Sequence, residues 1–348
     1  MNGVNEIKIR VAQDSDSIRW DEFLIRHDDS NFYQKFAWKK VIEENFRHKC
    51  FFLIAEQNEE VKGVFPLVFI SSMLFGKMMC SMPFVNFGSI ASESSEISDQ
   101  LIAYARKLTE DNDADYLEIR SLTSVSDQLP TSLHKISMSL DLDPDPDTLW
   151  NNFKSKHRTN IRRVYKENIH VKQGRHELLD DFYELMAESW KFLGTPIYRK
   201  KLFRDILDNF PEDTRIFIAY QGDTPIATAF NGHFKQTIEG MWAGSLPSFK
   251  RLQPNYVLYW EMMKDGCETG FRHFHLGRST TGSGAEDFKK KWNAYPRQLY
   301  WQYILNNLEE IPQLNVKNPK YEMAIKVWRK LPLSLTKVLG PLISPSIP

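Results

Sequence analysis

The chain is poor in the features that would fix its chemistry at a glance. Its 348 residues hold only three cysteines, Cys50, Cys80 and Cys267. Their spacing builds neither a zinc site nor a disulfide framework, which fits a reducing compartment. Net charge is zero, with 45 basic and 45 acidic residues, so bulk charge selects no nucleic-acid or membrane partner and any electrostatic recognition has to be local. No apolar run is long enough to span a bilayer. The longest, Val64 to Phe75, is interrupted by Pro66, Ser71 and Ser72. The polar start, MNGVNEIKIRVAQDSDS, has no secretion-type apolar segment. Together these absences predict a cytoplasmic protein. No Ser/His/Asp order, dinucleotide fingerprint or metal-ligand cluster stands out. The pairs Asn231-Gly232-His233 and His273-x-His275 are better read as packing, and no metal is expected.

What is present is a 42% hydrophobic content, enough for one large core or two ordinary ones, and an internal repeat. Phe52 to Phe69 (FLIAEQNEEVKGVFPLVF) and Phe217 to Phe234 (FIAYQGDTPIATAFNGHF) both read as two strands around a polar turn, at Asn58 and at Gly222-Asp223. Ile54-Ala55 matches Ile218-Ala219, and Val61-Lys62-Gly63 matches Ile226-Ala227-Thr228 after one extra turn residue. Each hairpin is followed by a helix, near Ser98 to Asp111 and Asn255 to Glu268, and then by a strand, Tyr116 to Arg120 and Phe271 to Leu276. Two copies of this order predict two α/β domains with mixed, mostly antiparallel sheets flanked by helices. The acidic, proline-broken Asp141 to Asp147 resists helix and central strand alike. It divides the chain into domains at 1–143 and 148–307, with a tail over 311–348 holding a helix near Tyr321 to Lys330.

Three segments point to chemistry. Trp150 to Asn168 reads as a basic helix with Lys154, Arg158 and Arg162 at i, i+4 and i+8 on one face, suited to gripping phosphate oxygens. Gly277 to Gly284 is a turn of glycines and hydroxyls between a strand and a helix start, a shape that cradles anions. Arg278 and Ser279 sit at its mouth, and Lys289, Lys290 and Lys291 follow. Phe65 to Ser89 reads as strand, loop and strand. Its sharper reading is an apolar lip (Met73, Leu74, Phe75, Met78, Met79) that receives a lipid-linked substrate.

Gly277-Arg278-Ser279, Phe288-Lys289, Trp292 and Leu299-Tyr300-Trp301 occur in the order seen in the FemAB family of tandem GNAT-fold acyltransferases, which the chain resembles. The block Phe65 to Ser89 and the tail NPKYEMAIKVWRKLPLSLTKVLGPLI resemble the FemAB-related subgroup linked to exopolysaccharide and exosortase gene clusters. The resemblance implies two GNAT-like domains with the active cleft in the second. It implies transfer of an acyl or aminoacyl group, from acyl-CoA or aminoacyl-tRNA, to an amine on a nucleotide- or lipid-linked envelope precursor. It implies no resident cofactor, no DNA partner and peripheral contact with the inner membrane at most. It places Phe288 and Lys289 at the catalytic centre, gives Arg158-x-Asn160-Ile161-Arg162 and Lys154 substrate binding, and points to Pro83-Phe84, Asn86 and Gly88 as an acceptor cleft. Where coenzyme A-dependent members of the fold carry Q/R-x-x-G-x-G/A, this chain has Lys250-Arg251-Leu252-Gln253-Pro254-Asn255-Tyr256. With no glycine, and Pro254 lacking an amide proton, donor binding falls to Lys250, Arg251, Gln253 and Asn255. Candidate proton-transfer groups are Glu239, Tyr300, Tyr303 and Asp287. The rival readings are a coenzyme A-dependent N-acetyltransferase of a sugar amine and a non-catalytic ligand-binding protein of polysaccharide assembly.

Overall fold

The computed structural model describes residues 6–72, 76–312 and 319–347. The chain forms two compact units, Met1–Lys135 with Gln298–Gln313 and Ser346–Pro348, and Ile136–Arg297 with Leu314–Pro345.

In the first unit, β1 (Lys8–Val11), α1 (Ser17–Arg26) and α2 (Trp38–Phe46) precede the hairpin β2 (Lys49–Gln57) and β3 (Glu60–Ser72). Then come β4 (Gly76–Cys80), β5 (Ala91–Ser92), α3 (Ser95–Asp111), β6 (Tyr116–Ser121) and β7 (Thr131–Ser132). Asn58 and Glu59 turn the hairpin with φ of 51° and 66°, the left-handed pair that matches the strand twist. Leu101 and Ala105 of α3 pack on Leu53, Phe65 and Leu117 of the sheet. On α1, Trp20 is fully buried and stacks on Phe52 with centroids 5.3 Å apart.

The second unit runs β8 (Lys135–Asp141), α4 (Pro146–Asn152), α5 (Ser155–Tyr165), β9 (Ile169–Gly174), α6 (Leu179–Leu193) and α7 (Lys200–Asn209). The hairpin β10 (Thr214–Gln221) and β11 (Thr224–Phe234) follows, then β12 (Thr237–Ser245), α8 (Asn255–Glu268), β13 (His273–Thr280), α9 (Gly284–Lys290) and β14 (Tyr295–Gln298). Its sheet order is β14-β8-β13-β12-β11-β10-β9. One face packs on α4, α5 and α8 through Ile238, Phe274 and Val257. On α6 and α7, Phe182 and Phe203 form an edge-on ring cluster with Phe230 and Trp242 of the sheet. The chain then leaves as β15 (Tyr300–Leu305), α10 (Pro319–Lys330) and α11 (Leu333–Ile343).

The repeat is structural. Both hairpins are antiparallel, and both slip register directly after an alanine, Ala55 and Ala219. Ala55 pairs with Gly63 and Ala219 with Ala227. Gly63 is therefore equivalent to Ala227, one residue earlier than the sequence match placed it. In each unit one parallel pair follows, β4 with β6 and β12 with β13.

Several expectations need correction. The segment Asp141 to Asp147 is not the boundary: the units divide near residue 135, and Asp145 instead caps α4 by accepting from the amides of Asp147 and Thr148. The aromatic strand assigned to the second domain is β15, which pairs antiparallel with β6 of the first unit's sheet. The tail belongs mostly to the second unit and holds a second helix, α11, that the sequence reading missed. The basic helix is broken. Phe153 is buried against Trp260 and Trp292, and Lys154 is the extended N-cap of α5, so Lys154 does not continue the Arg158–Arg162 face. Of the apolar lip, Met78 and Met79 are buried core, and 73–75 lie outside the described residues.

Candidate active site

The second unit's sheet opens between its parallel strands. β12 pairs with β13 only from Thr237–His273 to Glu239–His275. Beyond Glu239 the pairing of β12 with β13 does not continue among the described residues, and Ala243 on that stretch of β12 is exposed. On the other edge, Phe230 pairs with Trp242 and Asn231 with Gly240, which leaves Met241 as a bulge where the strands part. Gly244 packs against α6: a Cβ there would meet Ser189 Oγ at 2.8 Å and Met186 Sδ at 3.1 Å. Only glycine lets the strand lie this close.

A cavity of about 420 Å³ lies along that strand end. Its walls include Phe192 and Leu193 of α6, Ala243 and Ser245 of β12, and Phe288 beside α8. Lys250, Gln253, Asn255 and Lys291 supply its polar groups. Most amides of the turn into α8 are held internally. Lys250, Leu252, Gln253, Tyr256 and Val257 each donate to a carbonyl three residues earlier. Pro254, at the N-cap, has no amide proton to give. Gln253 sits at φ 59° where a glycine would be free of strain. A phosphate at this turn therefore falls to the side chains of Lys250 and Arg251, both exposed. Arg163 of α5 reaches the same turn, donating to Gln253 Oε1 at 2.5 Å. Asn255 Oδ1 is buried without a hydrogen-bond partner among the described residues.

Glu239 and His275 lie across from each other at the last paired step before the opening. Both are buried, and His275 Nδ1 is 2.8 Å from Glu239 Oε1. Arg297 Nη1 is 3.5 Å from His275 Nε2, a long contact. A guanidinium can only donate, so Nε2 is the accepting nitrogen and Nδ1 carries the proton toward Glu239. Glu239 Oε2 remains, buried and with no partner among the described residues. A buried carboxylate oxygen with unused lone pairs is costly unless something else meets it.

The anion cradle over Gly277 to Gly284 is corrected. β13 continues through Thr280, Ser283 caps α9, and Glu286 Oε2 accepts from the Gly282 amide at 2.6 Å. The protein's own carboxylate fills the turn that a substrate anion was expected to fill. Lys289 is buried beneath it and donates to Gly277 O at 2.8 Å, Arg278 O at 2.9 Å and Ser279 Oγ at 3.1 Å. All three ammonium protons are thus engaged by this turn. Burial first, and then the Arg278 charge, lower its pKa to about 7, while the three acceptors favour the ammonium form. In this arrangement Lys289 braces the strand end, its hydrogen bonds all made within the protein. Lys289→Met should cost about 1–3 kcal/mol by stranding two buried acceptors and one half-buried one. Chemical denaturation of variant and parent measures it, and an unchanged midpoint would contradict the bracing role.

Among the other candidates, Arg158 donates to Asn151 O and Oδ1, and Arg162 lies 5.2 Å from the Trp150 ring centre. Ser279 is buried as an acceptor for Lys289, and Arg278 is half-buried. Phe288 packs on Tyr259, centroids 5.2 Å apart, with its edge in the cavity wall. Tyr300 and Tyr303 belong to the first unit. The Tyr303 hydroxyl donates to Glu118 Oε2 at 2.9 Å. Asp287 is exposed. Asn86 is buried and donates to the Tyr33 hydroxyl at 2.8 Å. Sequence reasoning missed Phe192, Leu193 and Lys291 as cavity wall. Lys291 lies three residues after Phe288, and that spacing was its signal. His157 is buried in the same unit. Burial and then the Lys291 charge lower its pKa to about 4, among the rings of Trp292, Tyr256 and Phe153. No group of three metal-ligating side chains occurs among the described residues.

The split parallel pair, the bulged strand beside it and the cavity at the next helix start make up the candidate site. Residues 155–290 match the family described as the acetyltransferase (GNAT) domain, so the second unit carries an acyltransferase domain. No curated protein sequence matches the chain. Among solved structures the chain is similar to FemX, with TM-score 0.67 and 15% identity over 91% of this chain and 100% of that one. It is also similar to L-PGS from Bacillus licheniformis, with TM-score 0.55 and 13% identity over 92% of this chain and 97% of that one. A tandem GNAT protein from the clavulanic acid biosynthesis pathway has TM-score 0.55 and 11% identity over 88% of this chain and 100% of that one. At these identities the likeness is one of fold: the chain has the FemAB-like tandem GNAT fold.

Proposed function

We propose that the second unit transfers an acyl or aminoacyl group to an amine, with the donor in the cavity beside β12 and Glu239 as proton acceptor. The carrying observation is the placement of the unpartnered Glu239 Oε2 at the point where β12 and β13 part, on the strand that leads into the cavity. In the reaction, the amine nitrogen attacks the carbonyl carbon of a thioester or ester and its proton passes to Glu239. The tetrahedral oxyanion collapses, the C–S or C–O bond breaks, and the leaving sulfur or oxygen takes up a proton. In this reading the oxyanion is held by backbone amides of β12 past Gly240, beyond its last pair with β13.

The acceptor in this reading is an envelope precursor, a nucleotide- or lipid-linked sugar or peptide of peptidoglycan or exopolysaccharide synthesis. The similarity to FemX and the earlier family resemblance support it. Peripheral contact with the inner membrane from the cytoplasmic side is part of the same reading.

Two donors remain in view, and a specific observation bears on each. The GNAT domain match favours acyl-CoA. The engaged amides of the turn into α8, and the cluster of Lys250, Arg251 and Arg163 at it, favour a donor gripped by side chains, as a tRNA backbone would be. Calorimetric titration with acetyl-CoA separates them. Binding near micromolar, about −8 kcal/mol, that Lys250→Ala/Arg251→Ala abolishes assigns coenzyme A. Absence of heat with acetyl-CoA, together with binding of a charged tRNA, assigns the aminoacyl donor. Binding of neither favours the non-catalytic alternative.

A further inference from the structure

The second unit exposes a set of large apolar side chains on neighbouring elements. Phe192 and Leu193 end α6, Met323 and Val327 lie on α10, and Val338 and Leu342 on α11, each between 55% and 68% exposed. Single exposed apolar residues are ordinary, but these follow helical spacing. On α11, Leu335, Val338 and Leu342 fall within roughly 60° of arc at about 100° per residue. The opposite side, Thr336 and Gly340, is buried, and a Cβ at Gly340 would meet Ile197 O at 2.8 Å. On α10, Met323 and Val327 are one turn apart, while Trp328 turns inward and Ile325 packs near Gly194. Arg329 ties α10 to the end of α6 by donating to Leu193 O at 3.0 Å, and Lys337 ties α11 to Glu184.

Charge gives this face its partner. Residues 319–347 hold five basic residues, Lys320, Lys326, Arg329, Lys330 and Lys337, against one acid, Glu322: a net +4 in a chain whose total is zero. Lys326 and Lys330 are exposed and line one side of the Met323–Val327 stripe. An apolar stripe edged by lysines fits an anionic lipid surface, where the stems reach down beside the apolar groups and the ammonium heads meet phosphates. α11 has 11 residues, and no described helix is long and apolar enough to cross a membrane, so the helices would lie on the surface.

We infer that α10, α11 and the end of α6 form a docking face for an anionic phospholipid bilayer. The face adjoins the site: Phe192 and Leu193 line both the 420 Å³ cavity and a neighbouring one of about 460 Å³ whose wall includes Arg329. A lipid-linked acceptor would thus enter from the surface on which the protein rests. That last step depends on the transfer reading; the docking face does not.

The test is co-sedimentation of the full chain with phosphatidylcholine vesicles, with and without about one-third phosphatidylglycerol. The parent protein should sediment with the anionic vesicles, less so as salt rises, and remain in solution with the neutral ones. Val338→Asp/Leu342→Asp should lower the apparent affinity at least about tenfold with the unfolding temperature unchanged, because both side chains stand in water. Lys326→Glu/Lys330→Glu should weaken binding to the anionic vesicles likewise. Failure of the parent to bind anionic vesicles, or equal binding by the aspartate variant, overturns the inference. So does a solution dimer that the aspartate variant dissociates without any vesicle binding, which would assign the face to a second copy. Since the readout is sedimentation and not turnover, loss of the transfer reading would leave the result standing.

Discussion

Glu239→Gln should lower kcat by about 10²–10⁴-fold with little change in KM and no loss of fold. The substitution keeps the side chain's shape, and the amide oxygen still accepts from His275 Nδ1 at the position of Oε1, 2.8 Å away. What it removes is the lone pair on Oε2, the one buried carboxylate oxygen at the strand opening that nothing else among the described residues meets. A structural carboxylate that merely held His275 would tolerate the amide. His275→Ala, by contrast, acts through Glu239: it frees Oε1 and disturbs the position of the carboxylate, so it should lower kcat by a smaller factor. Steady-state kinetics with the donor identified by titration reads both. Full activity in Glu239→Gln would remove Glu239 from the chemistry.

Arg120→Leu should be the most destabilising single change in the first unit, by about 3–5 kcal/mol. Arg120 is 2% exposed, donates from Nε to Glu118 Oε1 at 2.6 Å and lies 4.4 Å over the Trp301 ring. Glu118 is itself buried and also accepts from the Tyr303 hydroxyl. Removing the guanidinium leaves a carboxylate in a dry interior with the Tyr303 hydroxyl and the weakly donating Cys80 thiol, 3.8 Å from Oε1, beside it, which is why breaking a buried pair costs more than the pair contributed. For a unit of this size the loss corresponds to a Tm lower by about 10 °C. Arg120→Leu/Glu118→Leu should recover much of it, since the stranded charge is gone. Thermal unfolding of the three proteins checks the pair; a double variant no more stable than Arg120→Leu would contradict the argument.

The two-fold pattern of the fold was legible because it rests on local periodicity. The hairpins, α3 and α8 each carry apolar spacing strong enough to read without tertiary information, and α8 spans Asn255–Glu268, the range its pattern predicts. What could not be read was decided by distant partners. Nothing local in Tyr300–Leu305 says that it returns to pair with β6, because its aromatic alternation suits either sheet. The basic helix breaks because Phe153 is drawn into the Trp260 and Trp292 cluster, a contact more than a hundred residues away in sequence. The turn after β13 looked like an anion cradle because glycines and hydroxyls were visible, while the reach of Glu286 back to the Gly282 amide was not. Lys289 carried the right composition for substrate contact and acquired a different task once its three protons met Gly277, Arg278 and Ser279. Glu239 was one candidate among four until the strand register set it across from His275.

The central claim is that the donor lies along β12 beside α6 and the start of α8. Ala243→Trp tests it most directly. Ala243 is exposed and lines the cavity, so an indole there fills the space without entering the core. Donor affinity, by calorimetry with acetyl-CoA and with a charged tRNA, should fall at least about a hundredfold, some 2.7 kcal/mol, while the unfolding temperature stays at the parent value. A variant that binds the same donor as tightly as the parent would place the donor elsewhere and contradict the claim.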